Sequence, residues 1–193
     1  MKITIIDYGA GNVQSVLFAL ERLGYQATVT DDPDKIKKAD KVIFPGVGEA
    51  SSAMQMIYNK KLDTIIPALT QPVLGICLGM QLLCKSSEEG NSKGIGIFDI
   101  DIKRFTNQLK VPQMGWNTIT NLKSELFNGI KEEEYMYLVH SFYAPLNENC
   151  IATTNYGINY ATAIQKNNFY GVQFHPEKSG KAGELIVKNF LEL

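Results

Sequence analysis

The sequence has 193 residues, 45% of them hydrophobic and 20% charged, which is ordinary usage for one globular domain. Its 19 Lys and Arg against 20 Asp and Glu give a formal charge of -1, which argues against a nucleic-acid binder and against a polybasic membrane anchor. No apolar run approaches the ~20 residues of a membrane span, no cleavable leader follows Met1, and Cys77, Cys84 and Cys150 suit neither a disulfide framework nor a zinc site. A single cytoplasmic domain over 1–193, with no metal or cofactor, is expected.

The first half alternates strand and helix signals. Lys2–Asp7 is a β-branched run of the kind that buried parallel strands show. Asn12 is placed to cap a helix reaching about Gly24, with Val13, Val16, Leu17 and Leu20 on one face. Tyr25–Thr30 reads as a second strand, and Asp32-Pro33 opens a short polar helix ending near Asp40. Lys41–Phe44 is a third strand, closed by Pro45-Gly46-Val47-Gly48. A helical stretch, with a possible break, covers roughly Ala50–Leu69. Pro72–Ile76 is a fourth strand, with a helix after Cys77 that would carry Cys84 two turns further on the same face. This order predicts an α/β fold with a mostly parallel open sheet and helices on both faces, three layers in all.

The second half changes character. Ile97–Phe105, Gln113–Thr120, Tyr135–Ser141, Cys150–Tyr156, Ala161–Gln165 and Phe169–Phe174 read as strands, adding antiparallel pairs. Lys166-Asn167-Asn168 has the composition of a hairpin turn. Ser179–Leu193 closes the chain as an amphipathic helix.

Gly75-Ile76-Cys77-Leu78-Gly79 is the strongest local signal. A nucleophile flanked by small residues, between a predicted strand and a predicted helix, is the pattern of a nucleophile elbow. The helix that follows would turn N–H groups and a positive dipole end toward the sulfur, favouring the reactive thiolate. The N–H of Leu78 then becomes an oxyanion donor. A buried cysteine beside ordinary turn glycines is the plainer alternative for the elbow alone. His175-Pro176-Glu177 supplies the rest. Pro176 keeps His175 extended, and residues two apart on an extended chain share a face. Glu177 can therefore hold one imidazole nitrogen while the other faces the sulfur, as a triad requires. Pro45-Gly46-Val47-Gly48 ends a strand at the edge where α/β sheets bind ligands. Gly9-Ala10-Gly11 could begin a dinucleotide fingerprint, but Gln14 stands at the third glycine position, so nucleotide binding is not expected. His140 has no flanking carboxylate and reads as structural or substrate-adjacent.

These residues resemble a known family. Gly75-Ile-Cys-Leu-Gly-Met-Gln81, Pro45-Gly-Val-Gly48 and Gly171-Val-Gln-Phe-His-Pro-Glu177 look like the class I (triad) glutamine amidotransferases, whose sheet is flavodoxin-like. Asp7-Tyr-Gly-Ala-Gly-Asn12, Met114-Gly-Trp-Asn117, Val139-His-Ser141 and His175-Pro-Glu-Lys-Ser179 resemble, within that family, the glutaminase subunits of imidazole glycerol phosphate synthases of histidine biosynthesis. The resemblance implies that Cys77 attacks the L-glutamine side-chain amide to form a thioester, with His175 moving the proton and Glu177 orienting it. It implies oxyanion donors at Leu78 and in the Val47–Gly48 loop, and substrate contacts from Gln81, Ser141 and Phe142. It further implies a heterodimer with a (β/α)8-barrel synthase that receives the ammonia, with Asn12, Trp116 and Lys178 facing that partner. A chain of this length has no room for the synthase itself. Gln113 departs from the family's usual His, and Phe142 from its frequent Tyr. Two other readings are compatible with the fold: an amidotransferase subunit serving another synthase, such as one for a surface-sugar amidine, and a catalytically silent regulatory subunit. The intact Cys77, His175 and Glu177 set argues against silence.

Overall fold

The computed structural model describes residues 1–106 and 110–193. In chain order the elements are β1 (Ile3–Ile6), α1 (Val13–Arg22), β2 (Ala27–Thr30), α2 (Pro33–Lys37), β3 (Lys41–Gly46), α3 (Ala50–Asn59), α4 (Leu62–Ile65), β4 (Val73–Cys77) and α5 (Leu78–Leu82). They continue with β5 (Cys84–Ser87), β6 (Ser92–Lys93), β7 (Phe98–Arg104), β8 (Gln113–Ile119), β9 (Glu134–His140), β10 (Phe142–Tyr143), β11 (Cys150–Asn155), β12 (Asn159–Lys166), β13 (Phe169–Val172) and α6 (Gly180–Glu192).

The central sheet has seven strands in the order β2-β1-β3-β4-β13-β12-β11. The first five run parallel to their neighbours, and β12 and β11 add antiparallel pairs. The predicted α/β architecture is therefore found, with the antiparallel strands of the second half joined to the same sheet. Parallel strands buried on both sides carry apolar residues at nearly every position. Val42, Phe44, Ile6 and Val73 face one core, shared with α2, α3, α4 and α5. Ile5, Ile43, Leu74 and Val172 face the other, shared with α1 and α6. On α6, Ile186, Val187, Phe190 and Leu191 are buried, each contributing about 1.5–3 kcal/mol by removal from water. The β8–β9 hairpin covers part of the same core with Ile119, Met136 and Leu138. A separate four-stranded sheet, β10-β7-β5-β6, lies outside the central one.

Local chemistry sets several boundaries. Asn12 caps α1 by accepting the Ser15 N–H at 3.3 Å, and Asp32 caps α2 ahead of Pro33. Asn167 adopts φ 53° between β12 and β13, as a tight hairpin turn requires. The long helix expected over Ala50–Leu69 is broken at Lys61, whose φ is 57°. Two expectations are corrected. The strand predicted to stop at Phe44 runs on through Pro45 to Gly46, which pairs with Cys77. The helix after Cys77 ends at Leu82, so Cys84 begins β5 rather than sitting two turns along the same helix.

Candidate active site

Cys77 closes β4 and serves as the N-cap of α5, with φ 54° and ψ -112°. A side chain in that region is strained by about 1–3 kcal/mol. The elbow persists because its surroundings over-determine it. A Cβ on Gly79 would lie 1.9 Å from the Phe44 carbonyl oxygen, and one on Gly46 would lie 2.5 Å from the Gly79 nitrogen. The turn and β3 thus touch backbone to backbone, which only glycine permits. The register that pairs Gly46 with Cys77 brings the Pro45–Gly48 loop to the elbow.

His175 and Glu177 form a buried pair, Nδ1 to Oε1 at 2.8 Å. The opposite ring nitrogen, Nε2, is buried and has no hydrogen-bond partner among the described residues. Burial lowers the histidine's proton affinity, but the neighbouring Cys77 sulfur and the Glu177 carboxylate outweigh it and hold His175 well above its ordinary range. The backbone fixes the ring further. The His175 N–H donates to the Tyr137 carbonyl at 2.9 Å, and the Ser179 hydroxyl donates to the His175 carbonyl at 2.7 Å. The Tyr137 N–H donates to that same hydroxyl at 2.9 Å.

One cavity of about 300 Å³ unites the predicted residues: Val47, Gly48, Cys77, Leu78, Gln81, Ser141, Phe142 and His175 all line it. Glu177 stands behind His175 and lines a neighbouring cleft with Asn12, Pro45, Gly46 and Val47. The surface candidates separate from this cavity. Trp116 is 56% exposed, and its ring packs edge-on against Tyr137 at 6.1 Å. Lys178, also exposed, holds its ammonium 6.0 Å from the same ring. Asn12 is half-buried in its capping role.

Three features of the site escape the sequence reading. Glu89 lines the cavity and is tied by one oxygen to the Ala50 N–H at 2.8 Å. Burial raises its proton affinity, and nothing in the polar Ser86–Gly90 stretch marks it. Gln173 is fully buried beside the sulfur, its Nε2 donating to Cys77 Sγ at 3.7 Å. A lone polar residue in the apolar run Gly171–Phe174 was the available signal. The carbonyls of Ser141 and Phe142 are also already engaged, the first by Phe105 N–H and the second by His140 and Gln81. Both amide hydrogens of Gln81 are committed, to Phe142 and to Gln173, so its Oε1 is the atom it has for a ligand.

His140 is buried, donating from Nδ1 to the Phe142 carbonyl at 2.7 Å. Burial, aided by the charge of His175, pushes it down to about 4 despite that hydrogen bond. His140 also lines the cavity, so it is both part of a buried hydrogen-bonded cluster and adjacent to the candidate substrate site. The departure at Gln113 falls in the same cluster, where Tyr160 bridges His140 and Gln113. Among the described residues, no group of three or more His, Cys, Asp or Glu is placed to hold a metal ion, and no helix is long and apolar enough to cross a membrane.

Comparisons with known proteins identify the family and the fold. A family model described as "Glutamine amidotransferase class-I" matches residues 4–193. The "Imidazole glycerol phosphate synthase subunit HisH" of Bacteroides fragilis is 56% identical, with all of both chains covered. The protein of the same name from Haemophilus influenzae is 50% identical over 100% of this chain and 98% of its own. Among solved structures, PurLQS from Thermotoga maritima superposes with a TM-score of 0.74 at 16% identity, covering 99% of this chain and 97% of its own. A glutamine amidotransferase from Thermotoga maritima gives 0.65 at 16%, covering 100% and 83%. At those identities the structural likeness speaks for the fold.

Proposed function

The chain belongs to the class-I glutamine amidotransferases, and from that premise we propose that it is the glutaminase subunit of an imidazole glycerol phosphate synthase, acting in histidine biosynthesis as one domain over 1–193. The observation that carries the chemistry is the convergence of a strained Cys77 elbow and a buried His175–Glu177 pair on one cavity.

In this reading L-glutamine enters the cavity with its side-chain amide at Cys77. The sulfur attacks the amide carbon, and the developing oxyanion is met by the N–H of Leu78 and a backbone N–H of the Val47–Gly48 loop. His175 takes the thiol proton and returns it to the departing nitrogen, so that ammonia leaves and a γ-glutamyl thioester remains. Water then attacks the thioester with His175 as base, releasing glutamate and restoring the thiol. Glu177 keeps the imidazole in the tautomer that presents Nε2 to the sulfur. Gln81 Oε1 and the Glu89 carboxylate are the acceptors suited to the glutamine ammonium.

The ammonia passes to a separate (β/α)8-barrel synthase, which uses it to form imidazole glycerol phosphate and an aminoimidazole ribonucleotide. Asn12, Trp116 and Lys178 are the residues proposed to face that partner. The exposed indole supports this role, since tryptophan is favoured at interface centres. Ammonia release from glutamine, measured with the chain alone and with its barrel synthase, tests the reading. Cys77→Ala is expected to abolish release while still binding the partner. Release at the unmodified rate by that variant overturns the assignment of the nucleophile.

A further inference from the structure

The Phe142 carbonyl receives two groups, His140 Nδ1 at 2.7 Å and Gln81 Nε2 at 3.0 Å. A carbonyl oxygen only accepts, so both neighbours must donate. That settles the direction of a chain of amides. The Gln81 side chain turns its nitrogen toward Phe142, and its second hydrogen goes to Gln173 Oε1 at 2.8 Å. With its oxygen engaged, the Gln173 amide points its nitrogen the other way, to Cys77 Sγ at 3.7 Å. Gln173 cannot swing aside, because its side chain is wholly buried and its backbone N–H is bound to the Thr162 carbonyl at 2.8 Å.

The sulfur therefore has two polar neighbours of opposite preference. The Val139 carbonyl lies 3.8 Å away and accepts from a thiol. The Gln173 N–H donates, and a donor is worth more to a thiolate than to a thiol. The two groups also fix where the sulfur sits, while His175 Nε2 has no hydrogen-bond partner among the described residues.

We infer that Gln173 is a positioning residue for Cys77, holding the sulfur and favouring its thiolate through an N–H donor whose direction is set by Gln81 and the Phe142 carbonyl. This deepens the proposed glutaminase reading and rests on Cys77 being its nucleophile. It also makes the substrate-lining loop and the nucleophile two ends of one hydrogen-bond chain.

The test uses Gln173→Met and Gln173→Leu, each of which removes both the donor to Cys77 and the acceptor for Gln81 without adding a charge beside the sulfur. Iodoacetamide alkylation of Cys77 in the full-length chain is followed by peptide mass spectrometry across pH. Loss of one such hydrogen bond is expected to move the alkylation midpoint up by about one pH unit, roughly a tenfold loss of reactive thiolate below it. With the barrel partner present, the kcat for glutamine is expected to fall about tenfold, while KM stays within about twofold. A merely structural role would lower thermal stability without moving the alkylation profile. An unshifted profile in a folded variant of either kind overturns the inference. If Gln173→Met does not fold, Gln173→Leu decides it. A shifted profile alongside a wild-type complex that releases no ammonia would overturn the glutaminase reading and leave the role of Gln173 standing.

Discussion

Tyr137 and His175 are joined backbone to backbone, with the His175 N–H on the Tyr137 carbonyl at 2.9 Å and the Ser179 hydroxyl closing the other side. The Tyr137 ring meanwhile carries Trp116 and the Lys178 ammonium. Trp116 therefore stands one residue removed from the candidate base, and Lys178 touches it directly through its N–H on the His175 carbonyl at 3.0 Å. Trp116→Ala is expected to weaken binding of the barrel synthase by about 2 kcal/mol, roughly thirtyfold in Kd. Its thermal unfolding should stay near that of the wild type, because the indole is mostly in water. Titration calorimetry and a melting curve check the two halves of this expectation.

Strain at Cys77 predicts an order of stabilities. Cys77→Ala keeps a Cβ at φ 54°, whereas Cys77→Gly relieves it at the cost of extra freedom in the unfolded chain. The glycine variant is expected to be more stable than the alanine variant by about 1 kcal/mol, although both are inactive. Denaturant titration of the two side by side measures the difference.

Glu89 offers a carboxylate to the cavity. Removing its charge with Glu89→Gln should cost the charge-assisted contact to the substrate ammonium, about 1.5–3 kcal/mol. KM for glutamine is expected to rise roughly ten- to a hundredfold, with kcat much less affected. Steady-state kinetics with the assembled synthase separates the two constants.

His140 sets a pH dependence of stability. Its folded value, about 4, lies below the unfolded value near 6.5, so the unfolded chain binds the proton more readily between the two. Stability from the neutral imidazole is complete above pH 6.5 and is lost as pH falls toward 4. The whole loss is about 3 kcal/mol. His140→Gln is expected to flatten this slope relative to wild type. Chemical denaturation at several pH values between 4 and 7 checks the sign.

Much of this arrangement was legible in the sequence because its signals are local. The apolar runs of β1, β3 and β4, the Asn12 and Asp32 caps, the glycines around Cys77 and the spacing of His175 and Glu177 each act within a few residues. The resemblance to the amidotransferases added the substrate loop around Ser141. What stayed hidden depends on neighbours distant in the chain. The strands β5, β6 and β10 are two to four residues long, with polar stretches such as Lys85-Ser86-Ser87. They are strands only because β7 runs beside β5 and β10 while β5 supports β6. Cys84 left the helix for the same reason. Glu89 enters the cavity from a polar turn, and Gln173 reaches Cys77 across 96 positions of sequence.

The outer face of the β8–β9 hairpin has a consequence for the chain in solution. Register places Met114 beside Val139, Trp116 beside Tyr137 and Thr118 beside Tyr135, so the ribbon turns a strip of apolar and aromatic side chains outward. Without a companion protein over it, such a strip is adhesive. The purified chain is expected to self-associate as its concentration rises, and sedimentation velocity should show the larger species dissolving when the barrel synthase is added. Production of the two polypeptides together would then be a matter of solubility as much as of activity.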